Sequence, residues 1–402
     1  MSQHPASSIQ DLQFFGEFGG VNPSISDSST YTFLTAKGMH DTFEGNSEGC
    51  FLYSRHSSPS NLYLSSALAK MENTEDATVF SSGIGAITST ILQICRQGDH
   101  IVASRTIYGG TYAFLKNVLH KFGISVSFVD FTKCQNIKEA INEHTKMLYC
   151  ESMSNPLLEV PDFSSISEIS KHANLQFVVD NTFTPLIFQP SKFGADIVVH
   201  SLTKFINGSS DAVAGAVCST KEFVDSLKDV NNGLAMLLGQ TLDSLSSASI
   251  LKNLRTLPIR IKQHSQNASY LAKEFQKLGY KVTYPGLFSH AQHQTMKKYM
   301  TRDMGFGGIL GIDFKTIEKA NAVMEMMQHK NLGYLAVSLG FYKTLFSASG
   351  TSTSSEISEE EQKIMGLSPG LVRFSVGLDH DIESTLQKML CVIDLISEPE
   401  LL

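Results

Sequence analysis

The sequence predicts an α/β fold in which a mostly parallel sheet is covered on both faces by helices and followed by a smaller α/β domain. Short β-branched runs recur from about residue 61 to 255, with helical stretches between them, which is the alternation of a parallel sheet. Polar and charged residues stand at the ends of successive runs, where open sheets of this kind bind ligands. After about residue 256 a long helical stretch leads into two further strand-like runs, so a second unit follows the first.

The elements follow in order. Residues 1–60 are rich in Ser, Gly, Asn and Pro with weak periodicity, so they are read as an extended arm with little core of its own, which either hangs free or lies on a neighbouring subunit. Apolar residues at helical spacing predict helices over 61–71 and 84–95. Strands are predicted at 78–80, 100–104, 126–130, 146–151, 176–181 and 196–201, and helices near 111–122, 137–143 and 163–172. Beyond the boundary come a helix over 260–278, strands at 280–284 and 307–314, and a helix over 317–329. The polar segment 347–361 reads as a loop. The chain thus divides into an arm, 1–60, a first domain, 61–255, and a second, 256–402.

Composition narrows the function. With 42% hydrophobic and 18% charged residues the chain is globular. A net charge of -7 makes it a poor partner for nucleic acid or an anionic membrane. No apolar run of about 18 residues predicts a membrane span. Residues 1–9 have neither the cationic nor the apolar stretch of a secretory signal. Six cysteines without a C-x-x-C pair read as reduced thiols. A cytoplasmic location is the expectation.

The chemistry sits at the strand ends. Asn155-Pro156 follows the 146–151 run, Asp180-Asn181 ends the next, and Ser201-Leu202-Thr203-Lys204 follows the one after. Asn155 to Asp180 is 25 residues and Asp180 to Lys204 is 24, about one βα unit each. An amide, a carboxylate, two hydroxyls and an amine therefore converge on one edge of the sheet. A lysine amine forms a Schiff base with an aldehyde. A carboxylate keeps a pyridine nitrogen protonated, which turns the ring into an electron sink. Hydroxyls and backbone N–H groups hold a phosphate, and Ser81-Ser82-Gly83-Ile84-Gly85-Ala86 supplies small residues where a helix opens. That set suits pyridoxal 5′-phosphate. Taken singly, each feature has a plainer reading: Lys204 as a surface lysine, Asp180 as a helix cap, Tyr108-Gly109-Gly110 as a turn, Arg373 as a salt-bridge partner. Met324–Met327 reads as helix packing, and no Cys or carboxylate near His290-x-x-His293 completes a metal site.

The same residues resemble the cystathionine γ-synthase family, the pyridoxal-phosphate enzymes of Cys/Met metabolism. The run Ser201-Leu202-Thr203-Lys204-Phe205-Ile206-Asn207-Gly208-Ser209-Ser210-Asp211 is similar to its lysine signature. So are Tyr53-Ser54-Arg55, Ser82-Gly83-Ile84-Gly85-Ala86, Tyr108-Gly109-Gly110-Thr111, Glu151-Ser152-Met153-Ser154-Asn155-Pro156, Val179-Asp180-Asn181-Thr182 and Leu371-Val372-Arg373-Phe374-Ser375-Val376-Gly377, in family order. The resemblance implies the aspartate aminotransferase-like fold of type I pyridoxal-phosphate transferases, with seven strands in the large sheet and a smaller C-terminal α/β domain. It implies Lys204 as Schiff-base lysine and proton shuttle, Asp180 on the ring nitrogen, and Tyr108 stacked on the ring and aiding the leaving group. Gly83, Ile84, Ser201 and Thr203 hold the phosphate. Tyr53 and Arg55 reach the phosphate of an adjacent subunit, so a dimer at least, and a tetramer in many relatives, is implied. Asn155, Ser338 and Arg373 receive the substrate carboxylate, for which a planar guanidinium fork is suited.

The sequence departs from the family where Ser58-Pro59-Ser60 replaces Asn-Pro-Thr and where Lys343 stands for Glu. The run from Ala336-Val337-Ser338-Leu339-Gly340 to Phe346-Ser347-Ala348-Ser349-Gly350-Thr351-Ser352 and the block Asn22-Pro23-Ser24-Ile25-Ser26-Asp27 resemble plant-type methionine γ-lyases, as does Gly110 after Tyr-Gly. Val337 replaces a Glu common in relatives that act on cystathionine and suits a short apolar tail such as S-methyl. The expected activity is γ-elimination of L-methionine to methanethiol, 2-oxobutanoate and ammonia. The alternatives are a cystathionine γ-lyase or γ-synthase, or a non-catalytic pyridoxal-phosphate-binding subunit.

Overall fold

The computed structural model describes residues 3–47, 49–348, 360, 362 and 365–397. Seven strands form the larger sheet: β1 (Asp76–Phe80), β2 (His100–Ser104), β3 (Ser125–Val129), β4 (Thr145–Glu151), β5 (Gln176–Asp180), β6 (Ile197–Ser201) and β7 (Gly215–Ser219). Their order is β1-β7-β6-β5-β4-β2-β3. Six strands point the same way. Only β7 is reversed, pairing antiparallel with both β1 and β6. The β-branched and aromatic runs explain most of the strands, and all but the edge strand β3 are largely buried, as a sheet covered on both faces requires.

Each face has its own apolar core. Val179, Val198, Leu148 and Cys150 pack with Leu64, Leu68 and Met71 of the helix Pro59–Glu72. The alternate residues Val178, Val199, Ile197 and Tyr149 pack with Ala86, Ile87 and Ile91 of the helix Gly83–Ile94. The period of two along each strand therefore sends neighbouring residues to opposite helical layers. That alternation decides which strand-end side chains reach the site.

The second sheet contains β8 (Lys281–Thr283), β9 (Ile309–Asp313), β10 (Tyr334–Leu335), β11 (Leu345–Ala348) and β12 (Leu371–Ser375), ordered β10-β11-β12-β9-β8. Its core is separate and lies against the helices Ile317–His329 and Ile382–Ser397. One helix, Leu257–Lys277, spans the junction. Its early residues Leu257 and Ile261 belong to the first core, and Ala268, Leu271 and Phe275 belong to the second.

Two expectations need correction. The segment 347–361 does not begin as a loop: Ser347 and Ala348 lie in β11, opposite Arg373 and Val372 of β12. Their small polar character hides a buried pairing. Residues 349–359 and 361 lie outside the described residues. The arm is also not wholly extended. A short helix, Pro5–Gln10, is capped by His4 with proline at its start and puts Ile9 into the first core. A second helix covers Ala36–Phe43. Much of the remaining arm presents apolar side chains to solvent, including Phe15, Phe18, Val21 and Leu34. Among the described residues no helix is long and apolar enough to cross a membrane, and no group of three His, Cys, Asp or Glu comes together as a metal site. His293 instead donates from Nδ1 to the Pro285 carbonyl and stacks on Phe306.

Candidate active site

A cavity of about 260 Å³ opens at the carboxyl ends of β4, β5 and β6. Gly83, Ile84, Tyr108, Asn155, Asp180, Ser201, Thr203, Lys204, Val337 and Arg373 all line it, together from both sheets. Ser338 joins them through its hydroxyl, which accepts from Lys204 Nζ at 3.1 Å. Tyr53 and Arg55 lie elsewhere. The Arg55 guanidinium sits 5.4 Å over the Tyr53 ring and borders a separate cleft with His56 and Gln240.

One end of the cavity is built for an anion. Ser82 caps the twelve-residue helix Gly83–Ile94 and accepts from the Gly85 N–H. A Cβ at Gly83 would stand 2.6 Å from Ser201 Cβ and 2.9 Å from Ser201 Cα. Only glycine lets the helix start approach the Ser201 turn this closely, a frame suited to a phosphate. Ser201 itself is fixed because its N–H donates to Thr182 Oγ1 at 2.8 Å. Thr203 is tied at both ends to Ala214, accepting from its N–H and donating to its carbonyl.

The centre carries the carboxylate and the amine. Asp180 is buried, and Oδ1 accepts from the Thr182 N–H at 2.9 Å. Burial pushes its carboxyl above the ordinary range, while that hydrogen bond and the nearby His200 pull it back. A protonated pyridine nitrogen is the partner such a carboxylate lacks. Lys204 follows the β6 turn. Burial, and after it the Arg373 charge, lowers its ammonium to about 8, which favours the neutral nucleophilic amine. The donor set therefore fits pyridoxal phosphate: a glycine-framed helix start, a buried carboxylate and a basic lysine.

The far wall presents a guanidinium suited to a carboxylate. Arg373 is buried on β12, donating from Nη1 to Asn155 Oδ1 at 3.1 Å and from Nη2 to the Ser338 carbonyl at 3.2 Å, with Nε buried and unpartnered. Burial holds its guanidinium down to about 10. Asn155 precedes Pro156 through a cis peptide bond.

Glu151 was not singled out by sequence reasoning, although it sits in a motif of the resemblance. It is buried in the same cavity, and burial followed by the Asp180 charge raises its carboxyl well above the usual range. Met153, Phe183, Val213 and Leu339 complete the apolar lining.

The model of the Cys/Met metabolism PLP-dependent enzymes matches residues 8–390. The chain belongs to that family. Members of this family use pyridoxal 5′-phosphate, which is the cofactor here. The chain is 43% identical to the methionine gamma-lyase of Arabidopsis thaliana over 93% of its own length and 86% of that protein. It is 36% identical to the cystathionine beta-lyase of Coxiella burnetii over 92% and 93% of the two chains. A putative O-acetylhomoserine (thiol)-lyase of Campylobacter jejuni, solved with pyridoxyl-lysine monophosphate, superposes with a TM-score of 0.91 at 28% identity, covering 98% of this chain and all of that one. The family's fold is the aspartate aminotransferase-like one that the strand order gives.

Proposed function

We propose that this enzyme eliminates methanethiol from L-methionine, consuming one water and releasing 2-oxobutanoate and ammonia. The observation that carries the reading is the wall around Val337. Val337 is 68% exposed at the cavity mouth, with Val213 and Leu339 also in the lining. The carboxylates lining the cavity are Glu151 and Asp180, both buried at its floor. A short thioether loses little water against such a wall, whereas the distal ammonium of cystathionine finds no counter-charge at the cavity mouth among the described residues. The plant methionine gamma-lyase at 43% identity supports the same reading.

Bound pyridoxal phosphate supplies an electron sink that eases loss of protons from Cα and Cβ. Arg373 and Asn155 bind the substrate carboxylate and fix Cα facing Lys204. Lys204 Nζ, neutral near pH 8, takes the Cα proton as general base and passes it on. The Tyr108 hydroxyl, on a ring half exposed at the mouth, gives a proton to the departing sulfur. Asp180 stays paired to the ring nitrogen. The exposed apolar arm residues Phe15, Phe18 and Leu34 lie on a second copy, bringing Tyr53 and Arg55 to that copy's phosphate in a homotetramer of the cytoplasm. Residues 61–255 then form the cofactor domain and 256–402 the C-terminal domain.

The likeness to a cystathionine beta-lyase keeps a second reading open. A panel of methionine, homocysteine, cystathionine, cysteine and O-acetylhomoserine, scored for 2-oxobutanoate, pyruvate and methanethiol, tests both. Methionine should give the highest kcat/KM with equal methanethiol and 2-oxobutanoate. Cystathionine as the better substrate would overturn the proposal.

A further inference from the structure

The ends of β4, β5 and β6 carry two sets of polar residues, one on each face. Glu151, Asp180 and Ser201 line the cavity. Their successors or predecessors Ser152, Asn181 and His200 point to the other helical layer and are all fully buried. There they meet a single residue, Glu72, at the end of the helix Pro59–Glu72. Glu72 Oε1 lies 2.7 Å from His200 Nε2 and accepts from Asn181 Nδ2 at 2.9 Å. Asn181 Oδ1 accepts from Thr184, which also meets Ser152 at 2.6 Å. The network thus ties together the ends of all three strands that bear the site.

As a stability device this pair is a poor one. Neither residue touches water, and Glu72 Oε2 and His200 Nδ1 are buried without a hydrogen-bond partner. Buried ion pairs often stabilise no better than apolar residues of the same volume. The position of the pair has a clearer consequence. His200 follows Val199, which is the partner of Asp180 across the β5–β6 ladder, and a positive His200 favours the ionised form of Asp180. The other titratable groups facing the pair are Cys218 on β7 and Lys192 beyond β5, both close enough to feel the Glu72 charge. Tyr149 and Glu151 approach Asp180 from the cavity side.

We propose that Glu72 and His200 form a buried positioning pair that holds a positive charge behind Asp180 and so keeps its carboxylate matched to the cofactor's ring nitrogen. The inference rests on the role given to Asp180 above. Glu72 anchors the His200 ring, which acts on the carboxylate through one strand.

Cofactor binding by the full-length apoprotein tests it, as a cycle of wild type, Glu72→Gln, Asp180→Asn and the double variant, titrated with pyridoxal phosphate and followed by absorbance. Glu72→Gln keeps the acceptor and removes the charge. It should weaken binding about tenfold, the equivalent of one pH unit in the Asp180 titration. In the Asp180→Asn background it should add nothing, because the pair acts through that carboxylate. An unchanged affinity, or the same loss in both backgrounds, overturns the proposal. Asp180→Asn that binds pyridoxal phosphate like wild type would instead sink the reading of Asp180. His200→Gln, which keeps a donor to Glu72 without the cation, gives the same comparison if Glu72→Gln does not fold. Failure of both to fold marks the pair as purely structural, and the proposal falls.

Discussion

The backbone N–H of Tyr108 donates to Glu151 Oε1 at 2.6 Å. Glu151 Oε2 accepts the N–H of Asn155 at 2.9 Å. One carboxylate on β4 therefore fixes two loops, one bearing the aromatic ring at the cavity mouth and one bearing the Asn155 amide that lines the cavity. The Tyr108 loop is held further back as well, where Arg105 and Thr106 bind the two oxygens of Glu159 at 2.8 and 2.9 Å. The two backbone N–H donors, followed by the Arg373 charge, offset part of the desolvation and the Asp180 repulsion that raise the Glu151 carboxyl.

Glu151→Gln should therefore damage turnover more than folding. The amide keeps one acceptor oxygen but turns an NH₂ group towards one of the two backbone donors. Leaving a buried backbone donor unmet costs about 1–3 kcal/mol, so kcat should fall about fivefold to a hundredfold. Steady-state kinetics at saturating cofactor measure this. Wild-type kcat in the variant would show that the carboxylate does not position Tyr108.

Lys204 gives a pH dependence with a definite sign. Its amine titrates at about 8, below the ordinary lysine value of 10.5. Only the neutral amine captures the cofactor aldehyde, so capture by the apoprotein should rise with pH and level off above about pH 8. The same shift makes the apoprotein gain stability from this group between about pH 8 and 10.5, because the unfolded chain binds more protons there. Rapid-mixing uptake of pyridoxal phosphate across pH 6–11 reads the midpoint. A rate still climbing past pH 10 would mean an ordinary, solvated lysine. Lys204→Ala should bind the cofactor without the yellow lysine linkage and should release no keto acid.

Gly83→Ala tests the phosphate end. The added methyl meets both the backbone and the side chain of Ser201 within 3 Å, and backbone cannot swing aside as a long side chain does. The helix start must retreat from the Ser201 turn, and cofactor affinity should fall at least about tenfold, since a lost charge-assisted hydrogen bond alone is worth that much. Equilibrium titration of the apoprotein checks it. Normal affinity would place the phosphate elsewhere.

Much of this was legible in the sequence for a physical reason. Parallel strands buried on both faces must be continuous β-branched runs, so 100–104 and 176–181 stand out, and the regular βα spacing puts Asp180 and Lys204 on one edge. The reversed strand β7 was not legible. Gly215-Ala216-Val217-Cys218-Ser219 has one β-branched residue and fills a narrow slot where Gly215 packs on the Ser82 backbone. Strands β10 to β12 were missed as strands because two to five residues of mixed polarity carry no period. Glu151 and Glu72 went unassigned for a different reason. Apart from the Asn155 N–H, their partners Tyr108, Asn181 and His200 lie 43 to 128 residues distant, and such contacts appear only when the chain is folded.

Val337→Glu asks what selects the substrate. Val337 lies beyond Ser338, whose carbonyl accepts from Arg373, so a side chain at 337 faces the substrate's tail rather than its carboxylate. A carboxylate there would have to be desolvated by S-methyl, which offers it nothing, but would pair with a distal ammonium. One such contact at a partly exposed site is worth about 1 kcal/mol, and the unmet desolvation adds to it. The ratio of kcat/KM for methionine to that for cystathionine should fall at least about tenfold. The loss on methionine should appear in KM as much as in kcat, because the carboxylate clamp and Lys204 are untouched. Parallel assays of methanethiol and cysteine release measure both terms. A ratio unchanged by Val337→Glu would move the specificity determinant off this wall.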